Sequence, residues 1–446
     1  MTRRLFRWWM LLQFLMVCMA SLLWSQTPPQ VVAIRAGRFL NPNSDQLLTN
    51  QVVVITGDRI VEVGPADRVR VPPDAKIIDL SQATVLPGLI DTHTHLFLYA
   101  SPFNSYKGIE NSETHQQLFS PFVDQLLESL QFRTILAVAN ARLDLNAGFT
   151  TERDLGNEGA MYSDVDVRNA INAGMVPGPR MQIATRGIVS TTGNFHIDCC
   201  AVPIAAQVVD SPDAARQAVR EQIKNGADLI KLFASRREYF SPDGKPIVIP
   251  TLTFDETRAA VDEAHRELVK VACHAYGGEA VRNCINAGVD SIEHGNVLDQ
   301  DELRTMIQKG TFYVPTLYVF SRPTALYGGQ WGRLQQITFR NALSAGVKIA
   351  FGSDVGPFPH GQQAIEFEYL VKFGMKPAAA IRSATVLAAD LMGWQDQVGS
   401  IEKGKFADII AVTGDPLQDI TELERVKFVM KGGEVVRDDY DTAPPK

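Results

Sequence analysis

Six side chains able to bind or bridge metal ions each lie at the end of a short apolar run in this 446-residue sequence. They are His93, His95, Lys231, His274, His294 and Asp354. Histidine nitrogens and carboxylate oxygens are ordinary ligands of divalent metals in catalytic sites. If the runs are parallel strands, their C-terminal ends meet and these side chains share one pocket. The pattern predicts a hydrolytic centre with two metal ions.

The two histidines of the run GLIDTHTHL provide the first part of this centre. His93 and His95 are two residues apart, so on a strand both side chains point to one face while Thr94 points to the other. Two imidazoles from one strand end hold a metal ion rigidly. The pair alone also fits two partly exposed histidines. The apolar residues before it favour a buried strand, in which polar side chains need partners.

Lys231 lies within the apolar run LIKLF, where a free ammonium group is costly to bury. One interpretation is a lysine paired with an acid or reaching to the strand end. The other is a neutral amine that has reacted with carbon dioxide. The resulting anionic carbamate could bridge two cations.

His274, His294 and Asp354 follow three further apolar runs, VKVACHAYG, DSIEHG and VKIAFGSD. Taken singly, each histidine also fits a hydrogen-bonded core residue, and Asp354 also fits a helix N-cap. A set of strand-end groups in one order is not readily produced by independent structural roles. The shared metal centre is therefore the better interpretation.

Alternating apolar and helical segments between residues 87 and 395 predict the elements that position these residues. Apolar runs are each followed by a stretch with helical periodicity, and several of these stretches end in glycine. This order predicts an α/β fold, a TIM-type (β/α)8 barrel. Short strand-like runs separated by turn residues in 31–86, and again in 396–440, predict a small β-sandwich built from both termini.

Residues 1–26 are typical of a signal peptide. Arg3, Arg4 and Arg7 precede an apolar stretch, and the polar segment SQTPPQ follows it. An uncleaved membrane anchor is the alternative. The favoured interpretation is an exported protein, periplasmic or extracellular, with no membrane span in its mature chain.

The charge balance excludes one class of partner. The chain has a formal net charge of −7 at pH 7, whereas a nucleic-acid-binding protein needs a basic face. We therefore expect a small-molecule substrate and no nucleic acid. A homo-oligomer is left open.

The cysteines do not form a metal-binding pattern. Cys18 belongs to the predicted signal peptide, and the others are Cys199, Cys200, Cys273 and Cys284. No CxxC spacing occurs, so a structural zinc site is not expected. Because Cys273 alternates with His274, it should point away from the pocket, toward the helices. Buried thiols are favoured, and a disulfide is the alternative in an exported protein.

The order of these residues resembles the pattern of the amidohydrolase superfamily: HxH on the first strand, Lys on the fourth, His on the fifth and sixth, Asp on the eighth. The resemblance extends over the mature chain. The segments LPGLIDTHTHL, GFTTERDLG, GADLIKLFAS, DEAHRELVKVACHAYG and GVDSIEHG resemble the branch of Xaa-Pro dipeptidase-like and arginine/lysine carboxypeptidase-like enzymes. Imidazolonepropionase is a more distant neighbour.

The resemblance implies a role for each metal-binding residue. His93, His95 and Asp354 would hold one metal ion, and His274 and His294 the other. Lys231, carboxylated by carbon dioxide, would bridge two divalent ions, with Zn²⁺ the expected metal.

Substrate contacts are expected in the loops after the strands. Arg186 and His196 follow the third strand, and an arginine there suits a substrate carboxylate. Tyr239 follows the fourth strand and His360 the eighth. Members of the dipeptidase-like branch tend to carry a tyrosine just before the fourth helix. Leu252 stands near that place here, and Tyr239 could substitute for it.

The predicted reaction is metal-dependent hydrolysis of an amide or peptide C–N bond in a small substrate, such as a dipeptide or an N-acyl amino acid. Asp354 would take the proton of the attacking water and pass it to the leaving nitrogen. One alternative is a single-metal deaminase or an imidazolonepropionase-like cyclic amide hydrolase. Lys231 argues against it, because one metal needs no bridge. The other is a non-catalytic binding or scaffold protein, which would not need the complete ligand set.

Overall fold

The computed structural model describes residues 30–44, 46–98, 128–193, 206–322 and 328–440. The predicted signal peptide 1–26 and the candidate substrate contact His196 lie outside these residues. Within the described ranges, no helix has both the length and the apolar character needed to cross a membrane.

Strands and helices alternate through most of the described chain. The strands are β1 Val31–Asn41, β2 Gln46–Thr56, β3 Arg59–Pro65, β4 Lys76–Pro87, β5 Leu89–Thr94, β6 Phe149–Asp154, β7 Arg180–Ile183, β8 Gly187–Val189, β9 Ala206–Val208, β10 Leu229–Phe233, β11 Ser235–Phe240, β12 Pro246–Pro250, β13 Lys270–Gly277, β14 Ser291–Val297, β15 Phe312–Val314, β16 Ile409–Val412, β17 Phe428–Lys431 and β18 Glu434–Asp438. The helices are α1 Leu130–Asn146, α2 Ser163–Asn172, α3 Pro212–Lys224, α4 Phe254–Arg266, α5 Gly278–Ala287, α6 Gln300–Lys309, α7 Leu317–Ser321, α8 Gly328–Ala345, α9 Ile365–Lys372, α10 Pro377–Ser383 and α11 Val386–Met392.

Both terminal segments contribute strands to one sheet, in the order β18-β17-β16-β4-β1-β2-β3. β16 pairs antiparallel with β4, with Ile410 opposite Leu86. The sequence predicts a sandwich of two sheets, and the structure gives instead one continuous seven-stranded sheet. The reason is the β16–β4 pairing, which adds the C-terminal strands directly to the N-terminal ones. The sheet curls around an apolar core. Its edge strand β3 thereby approaches the segment before β16, where the Ile60 amide donates to the Lys405 carbonyl at 3.0 Å.

The strands between these terminal segments are mostly parallel. One sheet has the order β5-β6-β7 and another the order β15-β14-β13-β10-β8-β9. Every residue of β10 is buried, as expected for a parallel strand covered on both faces. In the pairing of β13 with β14, His274 lies opposite Glu293 and Ala275 lies opposite His294. The parallel register therefore places His294 one position beyond His274 on the neighbouring strand.

Backbone contacts link the two parallel sheets to each other through segments outside the named strands. The Asp228 amide donates to the Ile183 carbonyl at 2.8 Å, between β7 and the start of β10. At the other side, Tyr313 forms a parallel bridge with Ile349, and the Asp354 amide donates to the His93 carbonyl at 2.8 Å. The segment that follows β15 therefore carries Asp354 to the end of β5.

The structure corrects the interpretation of two cysteines. Cys273 of β13 and Cys284 of α5 form a disulfide, whereas the sequence favoured buried thiols. The expected orientation of Cys273 explains the difference, because it faces the helix that follows its own strand. Both residues are fully buried, and their Cα atoms are 6.5 Å apart, within the range that a disulfide can span. The bond ties the strand of His274 to its next helix.

Candidate metal centre

Three of the predicted ligands meet at the end of β5. His93, His95 and Asp354 are buried, and they offer ligand atoms that all lie within 4.8 Å of one another. Asp354 Oδ1 is 3.6 Å from His93 Nε2 and 3.3 Å from His95 Nε2. Two imidazoles and a carboxylate in this arrangement are typical of a metal site. The spacing of the HxH run and the position of Asp354 after its apolar run are thus explained by one cluster.

The other two histidines stand next to this cluster. The ring centroids of His93 and His294 are 4.9 Å apart, and those of His274 and His294 are 4.6 Å apart. The rings therefore form a continuous row from β5 to β13. His274 is the one histidine of this row that is not fully buried, which places it toward the open side of the site.

Two of the five ligands have an unusual backbone. His294 has a φ of 71° and Asp354 a φ of 58°, in the left-handed region that non-glycine residues seldom adopt. In a regular strand His294 would point away from the face that Glu293 occupies. The left-handed turn interrupts this alternation and lets the His294 ring reach the site. Such strain is typical of functional positions, where the surrounding structure enforces it.

Lys231 is the sixth predicted residue, and its side chain is only 1% exposed. Its Nζ has no hydrogen-bond partner in the described structure, and neither does His93 Nε2. Burial lowers the pKa of Lys231 to about 8, against the opposing charges of Glu293 and Asp354. A buried amine without a partner is costly. This observation fits a bound group that Lys231 and His93 would share.

The histidines are held so that their Nε2 atoms face one another. His93 Nδ1 is 2.8 Å from Glu293 Oε2, and His294 Nδ1 is 2.8 Å from Thr316 Oγ1. His95 Nδ1 is 3.2 Å from the Gly156 carbonyl. Metal-binding histidines usually engage their second nitrogen in this way, which fixes the ring and its tautomer.

Glu293 belongs to a buried network that the sequence analysis did not identify. Its Oε1 accepts hydrogen bonds from Arg153 Nη2 at 2.8 Å and from Ser291 Oγ at 2.5 Å, and Arg153 also donates to the Thr92 carbonyl. The network connects β5, β6 and β14 behind His93. The sequence held one signal for this network. Glu293 stands two residues after Ser291 in an apolar strand, and alternation places both side chains on the same face of that strand.

Asp91 is a second positioning residue that the sequence analysis missed. Its carboxylate accepts bonds from the Ser353 amide at 3.0 Å, the Ser353 hydroxyl at 2.5 Å and the His93 amide at 3.0 Å. Burial raises the pKa of Asp91 to about 7, although the bonds from Ser353 and His93 act in the opposite direction. Asp91 therefore links β5, which carries His93 and His95, to the segment that carries Asp354.

The electrostatics of the site favour a cation. Burial lowers the pKa of His93 and of His294 well below the usual value, so both are neutral and able to bind metal. Burial acts in the same direction on His95, but the hydrogen bond and charge of Asp354 overcome it and raise the pKa of His95 to about 9. A positive charge between His95 and Asp354 is thus stabilised. The donor set of His93, His95 and Asp354 fits a divalent metal ion, and His274 and His294 lie beside it.

Replacement of Glu293 by glutamine should weaken metal binding, because the carboxylate that orients His93 becomes a neutral amide. Loss of such a partner lowers metal affinity by roughly 10- to 100-fold. Titration of the metal-free protein in competition with a chromophoric chelator measures this. Glu263→Gln is the matched control, since Glu263 is also a buried glutamate paired with an arginine, Arg220, away from these ligands. Equal metal affinity in the two variants would contradict the role of Glu293.

The structure separates the candidate substrate contacts. His360 is buried, and its ring nitrogens are 2.7 Å from Asp144 Oδ2 and 3.0 Å from the Leu98 carbonyl. These contacts engage both ring nitrogens of His360, and its substrate contact stays a prediction. Arg186 donates from Nη2 to the Ala206 carbonyl at 3.3 Å, and its Nε is buried without a partner in the described structure.

Tyr239 lies on the hairpin of β11 and β12, opposite Ile247. Its side chain is 49% exposed, so it is accessible to a ligand. For Arg186 and Tyr239, substrate contact stays a prediction.

Comparison with known proteins places this site in a family. The sequence profile of the Amidohydrolase family matches residues 84–436. A solved structure of a Xaa-Pro dipeptidase with bound methionine in the active site is similar, with 34% identity and a TM-score of 0.77 over 92% of this chain and 100% of that one. A prolidase complexed with N-methylphosphonate-L-proline is similar at 30% identity and a TM-score of 0.76, over 92% of this chain and 100% of that chain.

A curated relative is also similar in sequence over most of the chain. Ochratoxinase of Aspergillus niger is 29% identical over 455 residues, which cover 92% of this chain and 87% of that protein. The profile match extends over most of the chain and includes all six residues of the predicted centre. The chain belongs to the amidohydrolase family.

Proposed function

We propose that this protein is a two-metal hydrolase that cleaves a C–N bond in a small amide substrate. The observation that carries the proposal is the buried Nζ of Lys231, which has no hydrogen-bond partner in the described structure, beside a row of histidines from three strands. A single metal ion held by His93, His95 and Asp354 would leave the buried amine of Lys231 without a partner. A second ion at His274 and His294 would give Lys231 a role as the bridge between the two ions.

Lys231 would serve as the bridge after reaction with carbon dioxide. Its neutral amine adds to the carbon of CO2, an N–C bond forms, and one proton is released. The product is a carbamate whose two oxygens carry a negative charge. This reaction removes an unpaired buried amine and supplies an anion between two cations. It therefore offsets the free-energy cost of burying Lys231.

Asp354 is the proposed proton carrier of the reaction. Two divalent ions in this site would lower the pKa of a water molecule and polarise the scissile carbonyl. Asp354 Oδ1 faces both His93 and His95, so it stands at the place where the attacking water would be held. Asp354 accepts the proton of that water and delivers it to the leaving nitrogen, which becomes a free amine.

The proposed substrate is a dipeptide or an N-acyl amino acid. The similarity to a Xaa-Pro dipeptidase and to a prolidase supports this class. An aromatic cluster lies next to the metal-binding histidines, and its ring centroids include Tyr276 and Phe320 at 5.7 and 5.5 Å from His294. Phe240 of the β11–β12 hairpin extends this cluster through Trp331, 4.7 Å away. These rings favour a substrate with a bulky apolar side chain.

We also propose that the parallel strands close into the predicted (β/α)8 barrel over residues 87–395. The support is the link at Asp228 with Ile183 on one side and, on the other, the links at Tyr313 with Ile349 and at Asp354 with His93, which together join the parallel sheets to each other. The segments 31–86 and 396–440 would then form the separate terminal β-domain. Export through the signal peptide 1–26 is part of the same proposal, and it rests on the sequence.

Hydrolysis by purified protein reconstituted with Zn²⁺ tests the proposed function. Panels of dipeptides, N-acyl amino acids, lactones and cyclic amides would distinguish the classes, and elemental analysis would give the metal content. We expect two metal ions per chain and activity on the first two panels. If protein purified without any chelator held no metal, this result would instead support the alternative function, a non-catalytic binding protein.

A carboxylate clamp at Arg186 gives a more specific expectation. Substrates with a free C-terminal carboxylate should be cleaved with a higher kcat/KM than matched amides, because a guanidinium group binds a carboxylate through two hydrogen bonds. Arg186→Lys should raise KM for the free acid by about 10-fold or more, since lysine keeps the charge but not the paired geometry. Arg168→Lys, at an arginine paired with Asp228, is the control. Equal rates on acid and amide would rule out the clamp.

A further inference from the structure

Thr316 stands directly before α7, but its hydroxyl does not have the role that this position usually gives. A threonine before a helix normally has an extended backbone and accepts a hydrogen bond from an amide of the first turn. Thr316 makes no such bond to α7, and its φ is 50°. Its Oγ1 is instead 2.8 Å from His294 Nδ1. The hydroxyl that would cap α7 therefore contacts a residue of the candidate metal centre.

Glu366 of α9 caps α7 in place of Thr316. Its Oε1 accepts a hydrogen bond from the Leu317 amide at 2.7 Å, and its Oε2 accepts one from the Tyr318 amide at 2.7 Å. Glu366 and Thr316 are both fully buried. A buried carboxyl group is costly unless its oxygens are hydrogen-bonded, and both oxygens of Glu366 bond to these amides. The carboxylate thus leaves the Thr316 hydroxyl available to His294.

The backbone and the ring of His294 are held by different groups. The Tyr313 hydroxyl and Gln335 Nε2 both donate to the His294 carbonyl, each at 3.1 Å. These bonds hold the left-handed turn of the backbone, but they do not set the rotation of the ring. Among the described residues, the hydrogen bond that the ring makes is the one to Thr316. The orientation of the ring therefore depends on where the Thr316 hydroxyl lies.

We propose that Glu366 is a positioning residue for His294 and that it acts through α7 and Thr316. With its proton on Nδ1, the His294 ring donates to Thr316 Oγ1 and presents an unprotonated Nε2 to a metal ion. Without the Glu366 carboxylate, the Thr316 hydroxyl would turn to cap α7 itself. The ring would then lose the contact that fixes its tautomer. This inference rests on the proposed second metal ion, for which His294 is a ligand.

Glu366→Gln tests the proposal by titration of the metal-free protein with Zn²⁺ in competition with a chromophoric chelator. Glutamine has one side-chain oxygen, so its NH2 group faces one of the two α7 amides and that hydrogen bond is lost. The affinity for one metal equivalent should fall by roughly 10- to 100-fold, as for other partners of metal-binding histidines. The other equivalent should bind as in the wild type. Unchanged affinity for both would overturn the proposal.

Glu302→Gln is the matched control for this titration. Glu302 is also a buried glutamate at the start of a helix, α6, and it accepts a hydrogen bond from the Asp299 amide at 2.8 Å. Its replacement removes a comparable cap away from the histidines. Both metal equivalents should bind to this variant as they bind to the wild type.

A double-mutant cycle shows whether Glu366 acts through Thr316. Thr316→Val removes the hydroxyl and should weaken the same metal equivalent to a similar degree, whereas Thr316→Ser keeps the hydroxyl and should bind metal like the wild type. Addition of Glu366→Gln to Thr316→Val should lower the affinity no further, because the contact to His294 is already lost. Additive losses would overturn the proposal, since Glu366 would then act through another contact.

Nitrogen-15 NMR of labelled histidines in the metal-free protein separates this inference from the proposed function. The His294 ring should show one tautomer in the wild type and a mixture of two in Glu366→Gln. If the wild type bound one metal ion and the tautomers still differed in this way, the two-metal function would fail and the positioning role would stand. If the wild type bound two ions while Glu366→Gln changed neither affinity nor tautomer, the positioning role alone would be wrong.

Discussion

Lys231→Ala is expected to lose most of its bound metal and to lower turnover by orders of magnitude. Without the lysine no carbamate forms, and two cations would face each other without an anion between them. Short carboxylic acids such as formate or acetate should restore part of the activity, because a free carboxylate can take the place of the carbamate. Metal content, measured on the same samples, separates loss of the bridge from loss of substrate binding.

Lys231→Arg distinguishes the carbamate from a simple positive charge. Guanidinium stays protonated and does not form the carbamate, so this variant should be as inactive as the alanine one. Lys431→Ala is the matched control, since Lys431 is also largely buried, with a pKa that burial lowers to about 8. A carbon-13 NMR signal from labelled bicarbonate should appear in the wild type and vanish in the Lys231 variants. Full activity in either Lys231 variant would show that this lysine is structural.

Asp354→Asn should lower kcat by about 10²- to 10⁴-fold, the usual contribution of a positioned proton carrier. Asparagine keeps an oxygen that can contact a metal ion, but it cannot accept and return a proton. Metal content should therefore fall less than in the Lys231 variants. The observable is kcat at saturating substrate and saturating metal, so that weaker binding of either does not enter.

Glu158→Gln is the comparison for Asp354→Asn. Glu158 is a buried carboxyl 3.4 Å from His95 Nδ1, on the side of the ring away from Asp354. Its change should alter metal affinity more than kcat. If Asp354→Asn kept the wild-type kcat once saturated with metal, another group would have to carry the proton.

The signals that predict the residues of the metal centre are local. The spacing of His93 and His95 fixes a shared face, and Lys231 stands out within its apolar run. Their partners could not be predicted, because those contacts depend on which strands become neighbours. Glu293 is 200 residues from His93 in the chain, and no pattern near either residue indicates the pair.

The fold was predictable to a similar degree. Alternation of apolar runs and helical stretches indicates parallel strands, and both termini indicate β-structure. The pairing of β16 with β4 joins segments more than 300 residues apart, so only the tertiary structure shows that the terminal strands form one sheet. The left-handed backbone of His294 could not be predicted from the sequence either, since neither its residue type nor its neighbours require this conformation.

The direct passage from β4 into β5 has a consequence for how the protein is made. Gly88 alone separates these strands, and its amide donates to the Asp408 carbonyl at 2.9 Å, next to β16. A Cβ at this position would meet Thr150 Oγ1 at 2.0 Å, so there is no room for a larger residue where the chain enters β5. The strand that carries His93 and His95 is therefore anchored by a residue more than 300 positions later in the chain. During synthesis β5 lacks this anchor until Asp408 has been added, so we expect the metal site to form after that point.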